Sequence, residues 1–303
     1  MNAPDTPPGA GHIAWLVTGA RGQLGRELTA VLAGRNGDTV TALGRDRLDL
    51  TDEDGVRTVV RDWLAGVGGR RPVLLNAAAY TAVDAAETDE ATAQRVNGEA
   101  PGWLAEELAG RGRLIHVSTD YVFDGHATTP YPVDAPIAPR SAYGRTKAAG
   151  ERAVRSVAGD ATVVRTAWVY GAYGANFVAT MGKRAVAGAP VDVVDDQIGS
   201  PTWTADLATA LVALGDRATA VPPVLHYTDA GAVSWFDLAR AVYAGLGADP
   251  VLVSPTDSAA FARPAPRPAY SVLDHSAWTS ADLPPAPPWQ VSLRAALGSW
   301  PWP

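Results

Sequence analysis

Three glycines at intervals of three positions mark the point near the amino terminus where an apolar run changes into a helical pattern. Residues Ile13–Thr18 are apolar and β-prone, Gly19, Gly22 and Gly25 follow, and leucine and valine then recur at helical spacing to residue 32. This order predicts a buried strand, a tight turn and a helix. A chain that begins in this way is restricted to α/β folds in which the helix packs back on its strand.

Strands and helices alternate through the next 140 residues or so, in numbers and lengths typical of such folds. The predicted elements are strand 39–43, a helix around 56–63, strand 72–75, helix 91–108, strand 113–117, helix 143–157 and strand 162–166. Near-continuous apolar strands separated by helices predict a parallel sheet that is covered on both faces. The fold class is therefore α/β, with a doubly wound, Rossmann-like parallel sheet.

The alternation loosens beyond Gly171, and prolines and tryptophans become dense from Asp195 onward. This change predicts a smaller, loop-rich carboxyl-terminal substrate lobe. We expect a disordered tail at residues 1–11, a dinucleotide-binding domain at 12–170 and a substrate-binding lobe at 171–303, with the chain able to cross between the lobes.

Composition excludes several functional classes. The net charge of −7 and the absence of a Lys/Arg run argue against nucleic-acid binding. The chain has no cysteine, so disulfides and Cys-ligated zinc are excluded and the cytoplasm is the expected location. No signal-like segment or membrane-length apolar run is present, and the five histidines show no ligand spacing.

The glycine turn has the context of a dinucleotide site. Gly19 permits the tight turn, Gly22 lets the backbone approach a pyrophosphate, and Gly25 lets the helix pack close to the sheet. A glycine-rich surface turn is the alternative, and the strand and helix on either side disfavour it. The turn residues predicted to bind the cofactor are Gly19, Arg21, Gly22, Gln23, Leu24 and Gly25.

The residue that follows the second strand bears on which nicotinamide cofactor binds. An acidic side chain normally holds the ribose 2′-hydroxyl about twenty residues after the glycines, but this chain has Arg45 there. Arg45 is suited to a 2′-phosphate, which favours NADPH, with NADH possible. Asp46 stands next to it and weakens the argument, and a merely solvated Arg45 is the alternative.

Further cofactor contacts are predicted from the next two loops. Asp49 and Leu50 are placed to bound an adenine pocket, where the carboxylate can accept from the exocyclic amine. After the third strand, small residues leave room for a flat cofactor against the backbone, although tight helix–sheet packing accounts for them equally well. These residues are Asn76, Ala77, Ala78 and Ala79.

A tyrosine and a lysine four residues apart open the helix near residue 143. Tyr143 and Lys147 share one helix face, where the ammonium and the cofactor's positive ring favour ionisation of the phenol. Ser118 and Thr119 follow the strand at 113–117, at the edge where ligands bind in open α/β sheets, and a hydroxyl there can polarise a substrate carbonyl. We predict Tyr143 as the proton donor to the carbonyl oxygen, with Lys147 as its partner.

These motifs resemble one family closely and over nearly the whole chain. The spacing of the glycines is that of short-chain dehydrogenases, and the chain is identified as a member of their extended class, within the dTDP-4-dehydrorhamnose reductase family. The segments that carry this resemblance are residues 76–84, 118–123, 143–147, 165–170, 176–177, 196–202 and 267–268.

The resemblance implies reduction of the C4 ketone of a dTDP-6-deoxyhexose by NAD(P)H, giving dTDP-L-rhamnose. Between Ser118 and Thr119, the family pattern assigns the catalytic hydroxyl to Thr119 and leaves Ser118 structural. The resemblance also implies a sugar pocket with an apolar and aromatic wall, which suits a 6-deoxy sugar. Arg267 is a candidate for the substrate diphosphate or for a clamp between the lobes. The residues implied to bind the substrate are Thr81, Val83, Thr119, Tyr121, Trp168, Asn176 and Arg267.

Several alternatives remain open. Nucleotide-sugar dehydratases carry Thr-Asp-Glu where this chain has Thr119, Asp120 and Tyr121, so dehydration is disfavoured. Another nucleotide-linked 4-keto-6-deoxyhexose is a possible substrate, and a non-catalytic regulatory subunit is a weaker alternative because Tyr143 and Lys147 are present. Glu27 matches one position of a magnesium site in some dimeric relatives, but the other glutamates are missing, so we expect a metal-free monomer, with a dimer possible.

Overall fold

The computed structural model describes residues 11–300, so the predicted disordered tail lies almost wholly outside the described residues. The strands are β1 (Ile13–Thr18), β2 (Thr39–Leu43), β3 (Arg71–Asn76), β4 (Arg113–Thr119), β5 (Asp160–Thr166), β6 (Val169–Tyr170), β7 (Val191–Val194), β8 (Ile198–Gly199), β9 (Thr202–Trp203), β10 (Val224–His226), β11 (Val233–Ser234) and β12 (Val253–Thr256).

The helices complete the element list. They are α1 (Gln23–Ala33), α2 (Glu53–Ala65), α3 (Val83–Ala86), α4 (Glu90–Ala93), α5 (Ala100–Leu108), α6 (Ala142–Ser156), α7 (Phe177–Val186), α8 (Thr204–Asp216), α9 (Trp235–Gly245), α10 (Ser276–Ser280) and α11 (Trp289–Ser299). A π-helical turn, Gln94–Glu99, joins α4 to α5, and 3₁₀ turns span Asp120–Val122 and Pro250–Leu252. No helix within residues 11–300 combines the length and apolarity needed to cross a membrane.

A six-stranded parallel sheet forms the centre of the fold and confirms the predicted class. The strand order is β10-β5-β4-β3-β1-β2. Asn76 at the end of β3 pairs in register with Thr18 of β1 and His116 of β4, and Thr119 pairs with Thr166 of β5. The carboxyl ends of the central strands therefore meet at one edge, where open α/β sheets bind their ligands.

Two apolar layers cover the sheet. Leu28 of α1 and Leu211 of α8 pack on one face around Trp15, and all three are fully buried. On the opposite face, Val60 of α2 and Leu104 of α5 are fully buried in a second cluster. Helices on both faces explain why the central strands are apolar along their whole length.

The later part of the chain contributes to two regions. A third apolar cluster joins β6, α7, α9 and α11. In contrast, α8 packs against α1, and β10 pairs with β5 at the edge of the large sheet. The chain thus returns to the sheet after residue 203, while a lobe boundary at residue 170 remains a prediction.

The predicted helix at 91–108 is interrupted by the π-helical turn. Asn97 in this turn uses its side chain to accept from Tyr80 N at 2.8 Å and to donate to Tyr80 O at 3.0 Å. Gly150 of α6 packs so closely that a Cβ there would lie 2.0 Å from Asn97 O. These tertiary contacts fix the loop that begins at Tyr80.

Candidate active site

A cavity of about 910 Å³ opens at the carboxyl edge of the sheet, beside β1, β3, β4 and β5. Of the residues predicted from sequence to bind cofactor or substrate, or to catalyse, four lie outside its wall: Gly25, Asn76, Asn176 and Arg267. The others line it together, so the structure brings the glycine turn and the Tyr143 group into one cavity. Tyr80, Asp89 and Thr92 also line it and were not predicted.

The glycine turn forms a cradle that side chains would fill. Gly19 has a φ of +67°, and a Cβ on it would lie 2.7 Å from Ala78 Cα. A Cβ on Gly25 would lie 2.1 Å from Gly19 O, so Gly25 allows close packing of α1 against the turn. Gly22 caps α1 without a side-chain bond, which leaves the amino-terminal N–H groups of α1 available to a phosphate. The turn fits a dinucleotide.

Two charged residues near the end of β2 form an ion pair with each other, and two more line the cavity. Arg21 forms an ion pair with Asp46 at 2.7 Å, and both side chains are exposed. Asp46, whose charge weakened the argument for NADPH, is therefore paired with Arg21, while Arg45 lines the cavity. Asp49 also lines it, and hydrogen bonds from Thr51 N and Oγ1 lower the pKa of its carboxyl.

Asn76 lies beneath the cavity floor rather than in its wall. Its Oδ1 accepts from Thr18 Oγ1 at 2.6 Å and from Ala78 N at 3.3 Å, and its Nδ2 is 2.9 Å from His116 Nδ1. The residue is fully buried. We infer that Asn76 positions the Ala77–Ala78 backbone instead of contacting the cofactor, in contrast to the sequence prediction.

This orientation of Asn76 also determines the tautomer of His116. Because Ala78 N can only donate, the Asn76 oxygen faces it and Nδ2 donates to His116 Nδ1. The imidazole proton then lies on Nε2, which is 3.4 Å from Lys147 Nζ. Burial lowers the pKa of His116 well below its usual value, so the ring stays neutral.

The amine of Lys147 is held by the end of β4. Nζ donates to Val117 O at 2.6 Å, and the His116 Nε2–H also faces it. A protonated Lys147 amine and the His116 Nε2–H are both donors, so their contact favours the neutral form of the amine. Burial lowers the pKa of Lys147 to about 8, and the Glu151 carboxylate opposes this shift. His116 is thus a site residue that sequence reasoning missed, and no ligand spacing marks it.

The pKa of the Tyr143 phenol is shifted in the direction opposite to the one predicted from the sequence. Burial raises its pKa to about 12, a hydrogen bond with Thr119 lowers it, and the Asp120 carboxylate raises it. Since the Lys147 amine bonds to β4, it is not among the groups that shift the phenol. Tyr143 therefore keeps its proton at neutral pH, which suits a proton donor.

Thr119 and Ser118 have different surroundings at the end of β4. Thr119 Oγ1 donates to Asp120 Oδ1 at 2.9 Å and accepts from Tyr121 N at 3.2 Å. Ser118 also lines the cavity, but its Oγ donates to the buried Glu151 Oε1 at 2.6 Å. The Ser118 hydroxyl is thus bonded to a buried carboxylate, and the catalytic role of Thr119 remains a prediction.

Aromatic residues form another part of the cavity wall. The Tyr121 ring meets the Tyr143 ring edge-on, with centroids 5.5 Å apart. Trp168 has a φ of +47°, which is unusual for a bulky residue, and its ring stacks on Trp235 with centroids 3.5 Å apart. A Cβ on Gly199 would lie 2.4 Å from the Trp168 ring. The indole is therefore held in one orientation at the cavity.

Asn176 and Arg267 lie outside the wall of the cavity and bond to residues next to it or within it. Asn176 caps α7 by accepting from Ala179 N at 2.8 Å, and it donates to Gln23 Oε1 at 3.1 Å. Arg267 pairs with Asp84 at 2.9 Å and donates to Ala265 O at 2.9 Å. Asn176 thereby reaches the cofactor turn through Gln23, and Arg267 joins α3 to the segment before α10.

We expect Arg267→Ala and Asp84→Asn to have the same small effect on turnover, because each removes the same clamp. The KM for the sugar nucleotide should stay within about twofold in both variants, since loss of one direct charge-assisted contact would cost about tenfold or more. Steady-state kinetics of the two variants provide the measurement. A tenfold rise in KM for Arg267→Ala alone would contradict the clamp and assign Arg267 to the diphosphate.

No group of three or more His, Cys, Asp or Glu side chains that could hold a metal ion occurs in the described range of the chain. Glu27, the predicted match to a magnesium position, is half-buried, and burial raises its pKa while a hydrogen bond with Thr204 lowers it.

Comparison with known proteins defines the family. A family model described as the RmlD substrate binding domain matches residues 13–300. A probable dTDP-4,6-dihydroxy-2-methyloxan-3-one 4-ketoreductase of Streptomyces antibioticus is 53% identical over 285 residues, covering 93% of this chain and 94% of the relative. A dTDP-4-dehydrorhamnose reductase of Streptomyces griseus is 51% identical over 288 residues, covering 93% and 92%.

A solved structure supports the same assignment. The dTDP-4-dehydrorhamnose reductase of Bacillus anthracis, crystallised in complex with NADP, superposes with a TM-score of 0.86 at 31% identity, covering 94% of this chain and 98% of that chain. The chain therefore belongs to the RmlD substrate binding domain family and is a relative of the dTDP-4-dehydrorhamnose reductases, as its motifs predict.

Proposed function

We propose that the protein is an NADPH-dependent nucleotide-sugar 4-ketoreductase that converts dTDP-4-dehydro-L-rhamnose into dTDP-L-rhamnose. The observation that carries this proposal is the single cavity shared by the glycine cradle, Arg45 and the Thr119–Tyr143–Lys147 group. The names of the Streptomyces griseus and Bacillus anthracis relatives support the same substrate.

The residues of the site have separate roles in the reaction. Bound NADPH supplies a hydride, and the glycine turn with the α1 amino terminus holds its phosphates. Tyr143, whose pKa of about 12 keeps it protonated, gives a proton to the C4 oxygen. Thr119 orients the Tyr143 hydroxyl, and Lys147 holds the nicotinamide ribose of the cofactor. The Trp168 and Tyr121 rings exclude water and face the apolar methyl of a 6-deoxy sugar.

A second substrate has specific support. The Streptomyces antibioticus relative, 53% identical, is named as a ketoreductase acting on a different dTDP-linked keto sugar. We propose such a 4-keto-6-deoxyhexose of a natural-product pathway as the alternative substrate, and a non-catalytic regulatory subunit as a weaker alternative.

The test is a comparison of substrates by loss of NADPH absorbance. We expect turnover with dTDP-4-dehydro-L-rhamnose at a kcat/KM at least about tenfold above that for other dTDP-4-keto-6-deoxyhexoses, the ratio that about 1.4 kcal/mol of differential binding gives. A higher kcat/KM for another keto sugar would assign that sugar as the substrate instead. No turnover with any, together with stable co-purification of a partner enzyme, would support the regulatory subunit.

The same assay tests the cofactor. Arg45 lines the cavity and Asp46 is paired with Arg21, so we expect kcat/KM to favour NADPH over NADH. A ratio near one, or one that favours NADH, would remove Arg45 from the cofactor site. A monomeric state, a cytoplasmic location and the absence of a structural metal remain predictions from the sequence.

A further inference from the structure

The residue after Thr119 is a carboxylic acid in unusual surroundings. Asp120 is 3% exposed, and its Oδ1 accepts from Thr119 Oγ1 at 2.9 Å. Its other oxygen, Oδ2, is buried and has no hydrogen-bond partner among the described residues. A buried anionic oxygen without a donor is costly, so the surroundings favour the neutral acid.

The groups that face Asp120 come from three elements. Ser271 lies in the segment before α10, Tyr143 lies on α6, and Tyr121 follows in the same turn. Arg267 and Asp84 act on Tyr121 from farther away. The three facing groups carry hydroxyls and no positive charge. Burial accordingly raises the pKa of Asp120 to about 6, although the nearby hydroxyls of Ser271 and Thr119 oppose the shift.

Thr119 connects this acid to the phenol. A threonine hydroxyl has one proton to donate, and in the ionised state of Asp120 that proton is directed to Oδ1. In this state the Thr119 oxygen can only accept from Tyr143, whose pKa the Thr119 hydroxyl lowers, and the Tyr143 proton would then point away from the cavity. When Asp120 is neutral, it donates to Thr119, Thr119 donates to Tyr143, and the Tyr143 proton is free to point at a substrate oxygen.

We propose that Asp120 is a positioning residue that sets the direction of the Asp120–Thr119–Tyr143 hydrogen-bond chain and returns a proton to Tyr143. This inference rests on the proposed function, since it concerns proton delivery to the C4 oxygen. As the O–H bond of Tyr143 breaks and one forms at the C4 oxygen, the Thr119 proton moves to the phenolate and the Asp120 proton moves to Thr119. The Asp120 carboxylate then takes up a proton from bulk solvent after the product leaves, so each reduction consumes one solvent proton.

The direction of the pH dependence follows from this chain. The neutral acid is the productive form in reduction, so kcat/KM should be highest below pH 6 and fall as pH rises through the pKa of Asp120. The fall should be about tenfold per pH unit for a single titrating group. Oxidation of the product by NADP should have the opposite dependence, because the ionised acid draws the Tyr143 proton toward Thr119.

The test compares pH profiles of the wild type, Asp120→Asn and Ser271→Ala. Asparagine does not titrate, so Asp120→Asn should lose the limb near pH 6. Ser271→Ala removes a group that lowers the pKa of Asp120, so its limb should move to higher pH. A purely structural Asp120 would lower activity equally at all pH values.

An infrared titration makes the test independent of turnover. Because buried Asp229, whose pKa is raised to about 8, also carries a proton in this range, the band is read from the wild-type minus Asp120→Asn difference spectrum. In that difference a protonated-carboxyl band should be present at pH 5 and disappear by pH 7.5. Persistence of the kinetic limb in Asp120→Asn, or a difference spectrum without that band at pH 5, would overturn the proposal. A wild type that shows the band but reduces no 4-keto sugar would overturn the proposed function and leave the protonation of Asp120 established.

Discussion

Tyr143→Phe is expected to lower kcat/KM for the keto sugar by about 10²–10⁴-fold, the range that a positioned general acid contributes. The substitution keeps the ring, and with it the edge contact with Tyr121, but removes the hydroxyl that shares a hydrogen bond with Thr119. Loss of NADPH absorbance with saturating cofactor measures the effect. The KM should change little, because the lost group acts on the transition state.

Tyr243→Phe is the matched control. Tyr243 is also buried, but its hydroxyl donates to Ala189 O at 2.7 Å, in the third apolar cluster. This variant should lose about 0.5–1.5 kcal/mol of stability and keep its turnover. Equal turnover of Tyr143→Phe and Tyr243→Phe would remove Tyr143 from the reaction and assign the proton to another group.

Arg165→Met is expected to lower the free energy of unfolding by about 3–5 kcal/mol, because it leaves the Glu151 carboxylate buried without its counter-charge. Arg165 and Glu151 are 1% and 0% exposed and pair at 2.7 Å. Ser118 also donates to this carboxylate, and Arg165 further bonds Val133 O at 3.0 Å. Urea unfolding followed by circular dichroism measures the loss.

Two further variants separate charge burial from general damage. Arg145→Met breaks an exposed ion pair with Glu90 and should cost about 0.5 kcal/mol or less. The double variant Arg165→Met with Glu151→Gln removes both buried charges and should recover part of the stability. A single Arg165→Met variant as stable as Arg145→Met would show that the buried pair contributes no more to stability than the exposed one.

The sheet was predictable because its strands are short apolar runs bounded by glycine and polar residues. β1 and β2 agree with the sequence prediction at both ends, and β3 and β4 are longer by one or two residues at their ends. The π-helical turn was not predictable, since its cause is the bond between Asn97 and the distant Tyr80 backbone. Likewise β10 has three residues, and its strand state depends on pairing with β5.

The order of motifs along the chain predicted the composition of the site, but not its electrostatics. The glycine turn, Thr119 and Tyr143 lie together because their elements end at one sheet edge. The direction of the Lys147 amine depends on His116, whose tautomer is fixed by Asn76 on the neighbouring strand. Contacts of this kind join residues far apart in sequence, so residue types and spacing do not contain them. The raised pKa of Asp120 is likewise a result of burial, which residue types and spacing do not reveal.

The late return of the chain to the sheet has a consequence for synthesis on the ribosome. The outer edge of β5 bonds to residues 223–227, with Val163 N donating to Pro223 O and Tyr227 N donating to Arg165 O, both at 2.9 Å. Until those residues emerge, a nascent chain holds the whole glycine turn and Tyr143 but exposes a bare apolar strand edge, the kind of surface that templates aggregation. A truncated nucleotide-binding half ending near residue 170 would carry that edge permanently, so the two halves of this sequence are poor candidates for separate expression or for exchange as modules.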